Sequence, residues 1–78
     1  MLTMKKKITK RELNRLVSEH LDIIELFKDN IKEELSEEQP DDYVLKDWRG
    51  VIKSEMSKIN ALRLEYYNGD YDKFELLY

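Results

Sequence analysis

The chain's one proline, Pro40, separates two long stretches in which apolar residues recur at helical spacing. No glycine or proline interrupts the first stretch, from Thr9 to Ser36, and its apolar residues follow steps of three and four that place them on one face of an α-helix. They are Leu13, Leu16, Val17, Leu21, Ile24, Phe27, Ile31 and Leu35. Thr9 and Glu12 have the spacing of a capping box. The pattern predicts a helix over residues 9–37.

A second helix is predicted over residues 42–67. Proline disfavours a helical conformation at the residue before it but is tolerated in the first turn of a helix. Gly50 lies inside the pattern, either as a weak spot that packing tolerates or as a place where a neighbouring backbone comes close. Asn68-Gly69 predicts the end of the helix, because glycine takes the left-handed conformation just past a helix C-terminus. The apolar positions are Leu45, Trp48, Ile52, Ile59, Leu62 and Tyr66.

The short connection around Pro40 predicts that the two helices lie antiparallel and side by side. We therefore expect one all-α domain over residues 1–78, a two-helix hairpin with a basic, flexible tail at residues 1–8. A short third helix capped by Asp70, or an irregular tail, follows the hairpin. A core in so short a chain supplies roughly 3–5 kcal/mol at most. Self-association into a four-helix bundle is thus a further expectation.

The contact seam between the helices is apolar or aromatic except at His20 and Glu55. Folding the chain at Gln39 and Pro40 would place His20 opposite Ile59, with Glu55 one helical turn away. A buried charge without a partner is costly, so the pair is predicted to bond and fix the register of the helices. The alternatives are a splayed seam that lets one residue reach water and, less favoured, an acid/base pair or pH switch.

Enzymatic chemistry is disfavoured by the residues present. The chain has no cysteine and one histidine, so a zinc site or a nucleophilic triad has too few side chains. Gly50 and Gly69 are isolated, so no glycine-rich loop could hold phosphate. Acidic clusters near Pro40 lack the spacing of a calcium loop. We expect no catalytic residues, no cofactor and no metal.

The last part of the second helix and the segment after it are rich in aromatic and leucine residues. Part of this set is expected to cover the end of the hairpin. Any remainder would form an exposed apolar patch, which is typical of a protein–protein site. The candidate partner-binding residues are Tyr67, Tyr71, Phe74, Leu77 and Tyr78.

Charge is distributed unevenly along the chain, although the net charge is only -3. Six of the first fifteen residues are basic and one is acidic, whereas residues 16–47 hold eleven acids and three lysines. The basic arm is either a solvated tail or, as the alternative, a nucleic-acid-binding element. The neighbouring acidic surface would repel a phosphate backbone, which favours the tail. The arm consists of Lys5, Lys6, Lys7, Lys10 and Arg11.

These patterns predict a small, non-enzymatic module that binds another protein as a regulator, adaptor or inhibitor. The alternative is a nucleic-acid-binding accessory protein. No signal-peptide pattern or membrane-spanning run is present, so a cytoplasmic location, in its own cell or a host cell, is expected. High charge, short length and few glycines or alanines are typical of small proteins encoded by phages and mobile elements.

Overall fold

The structure, a computed structural model, describes residues 8–77, except for the side chain of Tyr71. The expected basic tail, apart from Ile8, lies outside the described residues. Two α-helices account for most of the described chain: α1 spans Lys10–Leu35 and α2 spans Asp42–Tyr66. A single 3-10 turn follows at Tyr71–Lys73, and the described residues contain no strand.

Helix α1 begins where the capping pattern predicts. The Thr9 hydroxyl accepts a hydrogen bond from the backbone N–H of Glu12 at 3.1 Å, which satisfies one of the four N–H groups that a helix start leaves unpaired. The helix ends at Leu35, two residues earlier than expected. Ser36 closes it, because its N–H and its hydroxyl both donate to the carbonyl oxygen of Glu33.

Helix α2 begins just after Pro40 with Asp41 as its N-cap. The Asp41 carboxylate accepts hydrogen bonds from the N–H groups of Tyr43 and Val44 at 3.0 and 3.3 Å. The N–H of Asp41 itself donates to the Glu34 carboxylate at 3.3 Å, which joins the start of α2 to the end of α1. This connection holds the two helices side by side.

The end of α2 is a Schellman motif, in which the last carbonyls of a helix accept from residues beyond it. Gly69 N–H donates to Leu64 and Asn68 N–H donates to Glu65, at 2.8 and 3.4 Å. Both Asn68 and Gly69 have positive φ, 54° and 76°. The expected stop at Asn68-Gly69 is confirmed, and the left-handed backbone extends over two residues rather than one.

The core lies along the seam between the helices, so the antiparallel hairpin is confirmed. Leu13, Val17 and Ile24 of α1 form a buried cluster with Ile59 of α2. Leu45 is also buried, nearer the connection. After α2 the described residues form the 3-10 turn and then a segment without regular secondary structure, so an α-helical third element is not found among them. Self-association stays a prediction.

The register of the hairpin differs from the expected one by one helical turn. His20 lies against Glu55 rather than Ile59, one turn earlier on α2, and the ring of Phe27 contacts that of Trp48. The early end of α1 accounts for part of this shift, because it moves the centre of the connection toward the N-terminus. Both pairs fit this one register, so the seam is regular.

Gly50 lies on an exposed part of α2, and a Cβ built there would meet no atom within 4 Å. No backbone among residues 8–77 comes close to it, which leaves the interpretation of Gly50 as a tolerated weak spot.

Candidate functional site

The polar residues of the seam form a three-residue cluster. His20 Nδ1 hydrogen-bonds Glu55 Oε2, and Lys58 Nζ, one turn along α2, donates to Glu55 Oε1 at 3.2 Å. Glu55 is only 7% exposed, whereas the Lys58 side chain is more than half exposed. The structure therefore brings the two polar seam residues together. It adds Lys58, which is not a seam residue and lies one turn after Glu55 on α2.

The environment of Glu55 favours its charged form. Burial raises the pKa of the carboxyl, but the hydrogen bonds from His20 and Lys58 and the charges of both side chains outweigh that effect and lower the pKa below 4.5. No buried side-chain nitrogen or oxygen of the described residues lacks a hydrogen-bond partner. The cluster is thus a satisfied polar contact within an apolar seam.

This cluster has the geometry of a contact that fixes register rather than of a reactive site. Each Glu55 oxygen is already held, and proton transfer to a substrate would need a cavity beside the pair. The apolar groove on α2, about 340 Å³ in volume, is lined by neither His20 nor Glu55. Within residues 8–77 no three histidine or acidic side chains come together in a way that could hold a metal ion.

Several large apolar residues of the two helices keep part of their surface in solvent. The Phe27 and Trp48 rings meet edge to face, with centroids 6.5 Å apart, and both are half-buried. Ile23, one turn before Phe27, is also half-buried, and Leu26, one turn after Ile23, is 57% exposed. We call these four residues the Phe27–Trp48 face. The sequence pattern assigned Phe27 and Trp48 to the seam and did not indicate that their rings are only half-buried there.

The aromatic end is used partly within the chain itself. The Tyr67 ring packs edge to face on the Tyr66 ring, with ring centroids 4.8 Å apart. It also stacks on the Phe74 ring, with centroids 5.6 Å apart. Tyr67 and Leu77 are half-buried against the core cluster. The candidate partner-binding residues Tyr67, Phe74 and Leu77 thus cover the end of the hairpin and keep part of their surface in solvent. The side chain of Tyr71 and the whole of Tyr78 lie outside the described residues.

Two residues that the sequence did not single out hold the C-terminal segment on α2. The Asn60 side chain donates to the carbonyl of Leu77 at 2.7 Å and accepts from its N–H at 2.8 Å. The Arg63 guanidinium donates to the carbonyl of Glu75 at 3.4 Å. The one local signal was an asparagine inside an otherwise favourable helix, because asparagine has lower helix propensity than the residues around it.

Two of the five residues of the basic arm lie within the described residues. Lys5, Lys6 and Lys7 lie outside the described residues. Lys10 and Arg11 are exposed at the start of α1. The described structure therefore shows no surface that joins these five residues.

Searches against profiles of known protein families, against curated proteins and against solved structures found no significant match. No helix within residues 8–77 combines the length and apolar character needed to cross a membrane.

Proposed function

We propose that this chain is a non-enzymatic protein-binding module, a regulator, adaptor or inhibitor that docks through the Phe27–Trp48 face. The observation that carries the proposal is the incomplete burial of this face. Leu26 is 57% exposed, and Ile23, Phe27 and Trp48 are only half-buried. Aromatic residues at the centre of an apolar patch supply much of the binding free energy in protein interfaces.

The limited core of the hairpin supports the same proposal. Five apolar residues are buried within the described chain, although 41% of the sequence is hydrophobic. Two helices leave each other's outer flanks uncovered, so a third surface is needed to remove this apolar area from water. The same face would also pair two copies of the chain as a four-helix bundle.

The test is a matched pair of substitutions on α1. Leu26→Glu places a charge in the proposed face, and Leu35→Glu makes the same change at a position of similar exposure, 52%. Leu35 lies nine residues further on, about 180° around the helix. Leucine and glutamate have similar helix propensities, so both variants should keep the fold.

Site-specific photo-crosslinking in the native cell identifies the partner, with the crosslinking residue at position 26 or at position 35. We expect one dominant product from position 26 and none from position 35. Binding of the purified partner should then weaken at least about tenfold in Leu26→Glu, or ~1.4 kcal/mol, and stay unchanged in Leu35→Glu. Equal crosslinking from both positions, or equal affinity of both variants, would contradict the proposal.

A further inference from the structure

The segment after the 3-10 turn runs back along α2. Phe74 is extended, with φ -160° and ψ 161°, and residues 75–77 form no helix or strand. Leu77 lies beside Asn60 and Glu75 beside Arg63, so the segment is antiparallel to the helix. Asn68 and Gly69, with their positive φ angles, reverse the chain to make this possible. Residues 74–77 therefore lie on the outer flank of α2 like a short bound peptide.

All three of these hydrogen bonds end on the backbone of the segment. A carboxamide has an N–H donor and a carbonyl acceptor side by side, so Asn60 pairs with both the N–H and the C=O of one extended residue. The Arg63 contact also ends on a carbonyl. Bonds of this kind recognise an extended backbone whatever its side chains are, as in strand-addition complexes.

The site continues past Leu77 as an apolar groove of about 340 Å³. Ile52 and Met56 supply its apolar part, and the exposed cations Arg49 and Lys53 lie along it. Leu77 itself lines the groove, so the described segment reaches it and leaves space further along α2. An apolar side chain followed by an acidic one would suit this lining.

We propose that the flank of α2 from Arg49 to Arg63 is a binding site for an extended peptide of a partner protein, apolar with an acidic residue after it. Residues 74–77 of the same chain occupy part of this site as a displaceable ligand. The site deepens the proposed function but does not rest on the Phe27–Trp48 face. Asn60 lies about 120° around α2 from Trp48.

Displacement is feasible because the segment is only partly buried. Phe74 and Leu77 are only half-buried, and segments with little buried apolar surface open at low free-energy cost. A partner peptide must compete with a tethered ligand, so its apparent affinity falls by the fraction of time that the site is occupied. The segment thus sets a minimum affinity that a partner peptide needs in order to displace it.

Fluorescence anisotropy of a labelled synthetic peptide with the sequence of residues 70–78, added to the full chain, tests the site. Leu77→Pro removes the backbone N–H that donates a hydrogen bond to Asn60 Oδ1, so this variant should release the segment. We expect this variant to bind the peptide at least about tenfold more tightly than the wild type, as for a site occupied more than about nine-tenths of the time. Adding Asn60→Leu to Leu77→Pro should abolish binding, whereas adding Asn14→Leu, on an exposed position of α1, should not.

Far-UV circular dichroism checks that the hairpin persists, and Leu77→Asp serves as a second release variant. A peptide extended by two glutamates should bind more tightly, and Lys53→Glu should remove that gain. Equal affinity in the wild type and both release variants, or binding that survives Asn60→Leu, would overturn the proposal. So would a wild-type dimer that depends on Asn60 and excludes the peptide, since a second copy would then be the occupant.

The two binding proposals fail separately. Leu26→Glu should leave peptide binding unchanged, and Asn60→Leu should leave crosslinking from position 26 unchanged. Loss of peptide binding in Leu26→Glu would show that the peptide binds elsewhere and would overturn the α2 site.

Discussion

Glu55 shows how one buried carboxylate is accommodated in a small apolar seam. A charge taken out of water is costly unless it is paired and hydrogen-bonded. Here each oxygen has one basic partner, one across the seam and one on the same helix. Since the His20 contact requires one particular register, the pair selects that register over the alternatives one turn away.

The lowered pKa of Glu55 gives a prediction with a defined sign. A carboxyl whose pKa is lower in the folded than in the unfolded state stabilises the fold fully above its ordinary value of 4.5. That stabilisation is lost as the pH falls through the lowered pKa. We expect Glu55→Gln to reduce the free energy of unfolding by about 1–3 kcal/mol at pH 7. The difference from the wild type should narrow below pH 4.5, as measured by urea unfolding at a series of pH values.

The matched control is Glu19→Gln on the surface of α1. Glu19 pairs with Arg15 at 3.1 Å, but both side chains are about 60% exposed, and such pairs contribute roughly 0–1 kcal/mol. Similar losses in the two variants, or a pH-independent loss in Glu55→Gln, would show that the buried pair adds no specific stabilisation.

At the scale of the helices, the sequence pattern placed each element closely. Thr9 and Asp41 are short polar residues at the two starts, and Asn68-Gly69 supplies the stop, so these ends follow from local chemistry. The end of α1 was predicted less accurately, because no glycine follows this helix. Glu37 and Glu38 do not by themselves rule out another turn of helix, and Ser36 ended the helix through its own hydrogen bonds.

Gly50 gives a prediction at the same scale. An interior glycine costs a helix about 1 kcal/mol relative to alanine, and an added Cβ at Gly50 would meet no neighbour within 4 Å. We expect Gly50→Ala to raise the free energy of unfolding by about that amount, measured by chemical denaturation. Gly69→Ala is the contrasting variant. Its φ of 76° strains any residue with a side chain, so it should destabilise the protein. A loss of stability in Gly50→Ala would mean that this position contacts something in solution.

Sequence patterns could not predict the contacts between the C-terminal segment and α2. Helical periodicity specifies which side of α2 carries Asn60, but not what will lie against it. The pairing with Leu77 depends on the chain reversal at Asn68 and on an extended segment, and neither has a periodic signal. The predicted register of the two helices was wrong by one turn for a related reason, because the register depends on the residue at which α1 ends.

For the whole molecule, two helices form a layer too thin to enclose its apolar residues. Stable small domains bury such faces against a third element or another subunit. Residues 74–77 cover one flank of α2, whereas the residues of the Phe27–Trp48 face keep part of their surface in solvent.

We therefore expect the purified chain to self-associate at micromolar concentration. Sedimentation equilibrium should show species heavier than the 9.5 kDa monomer, with weaker association in Leu26→Glu than in Leu35→Glu. A chain that stays at 9.5 kDa and still unfolds in one sharp transition would contradict this expectation. The hairpin would then be stable enough without a second subunit.

The edge-to-face contact of Phe27 and Trp48 also gives the molecule a built-in optical reporter. Trp48 is the chain's sole tryptophan, and it is half-buried in the face proposed for docking. Its indole therefore samples water and protein at the same time. Fluorescence excited in the indole band arises from Trp48 alone. A partner that excludes water from this face should therefore change the fluorescence of the unlabelled protein.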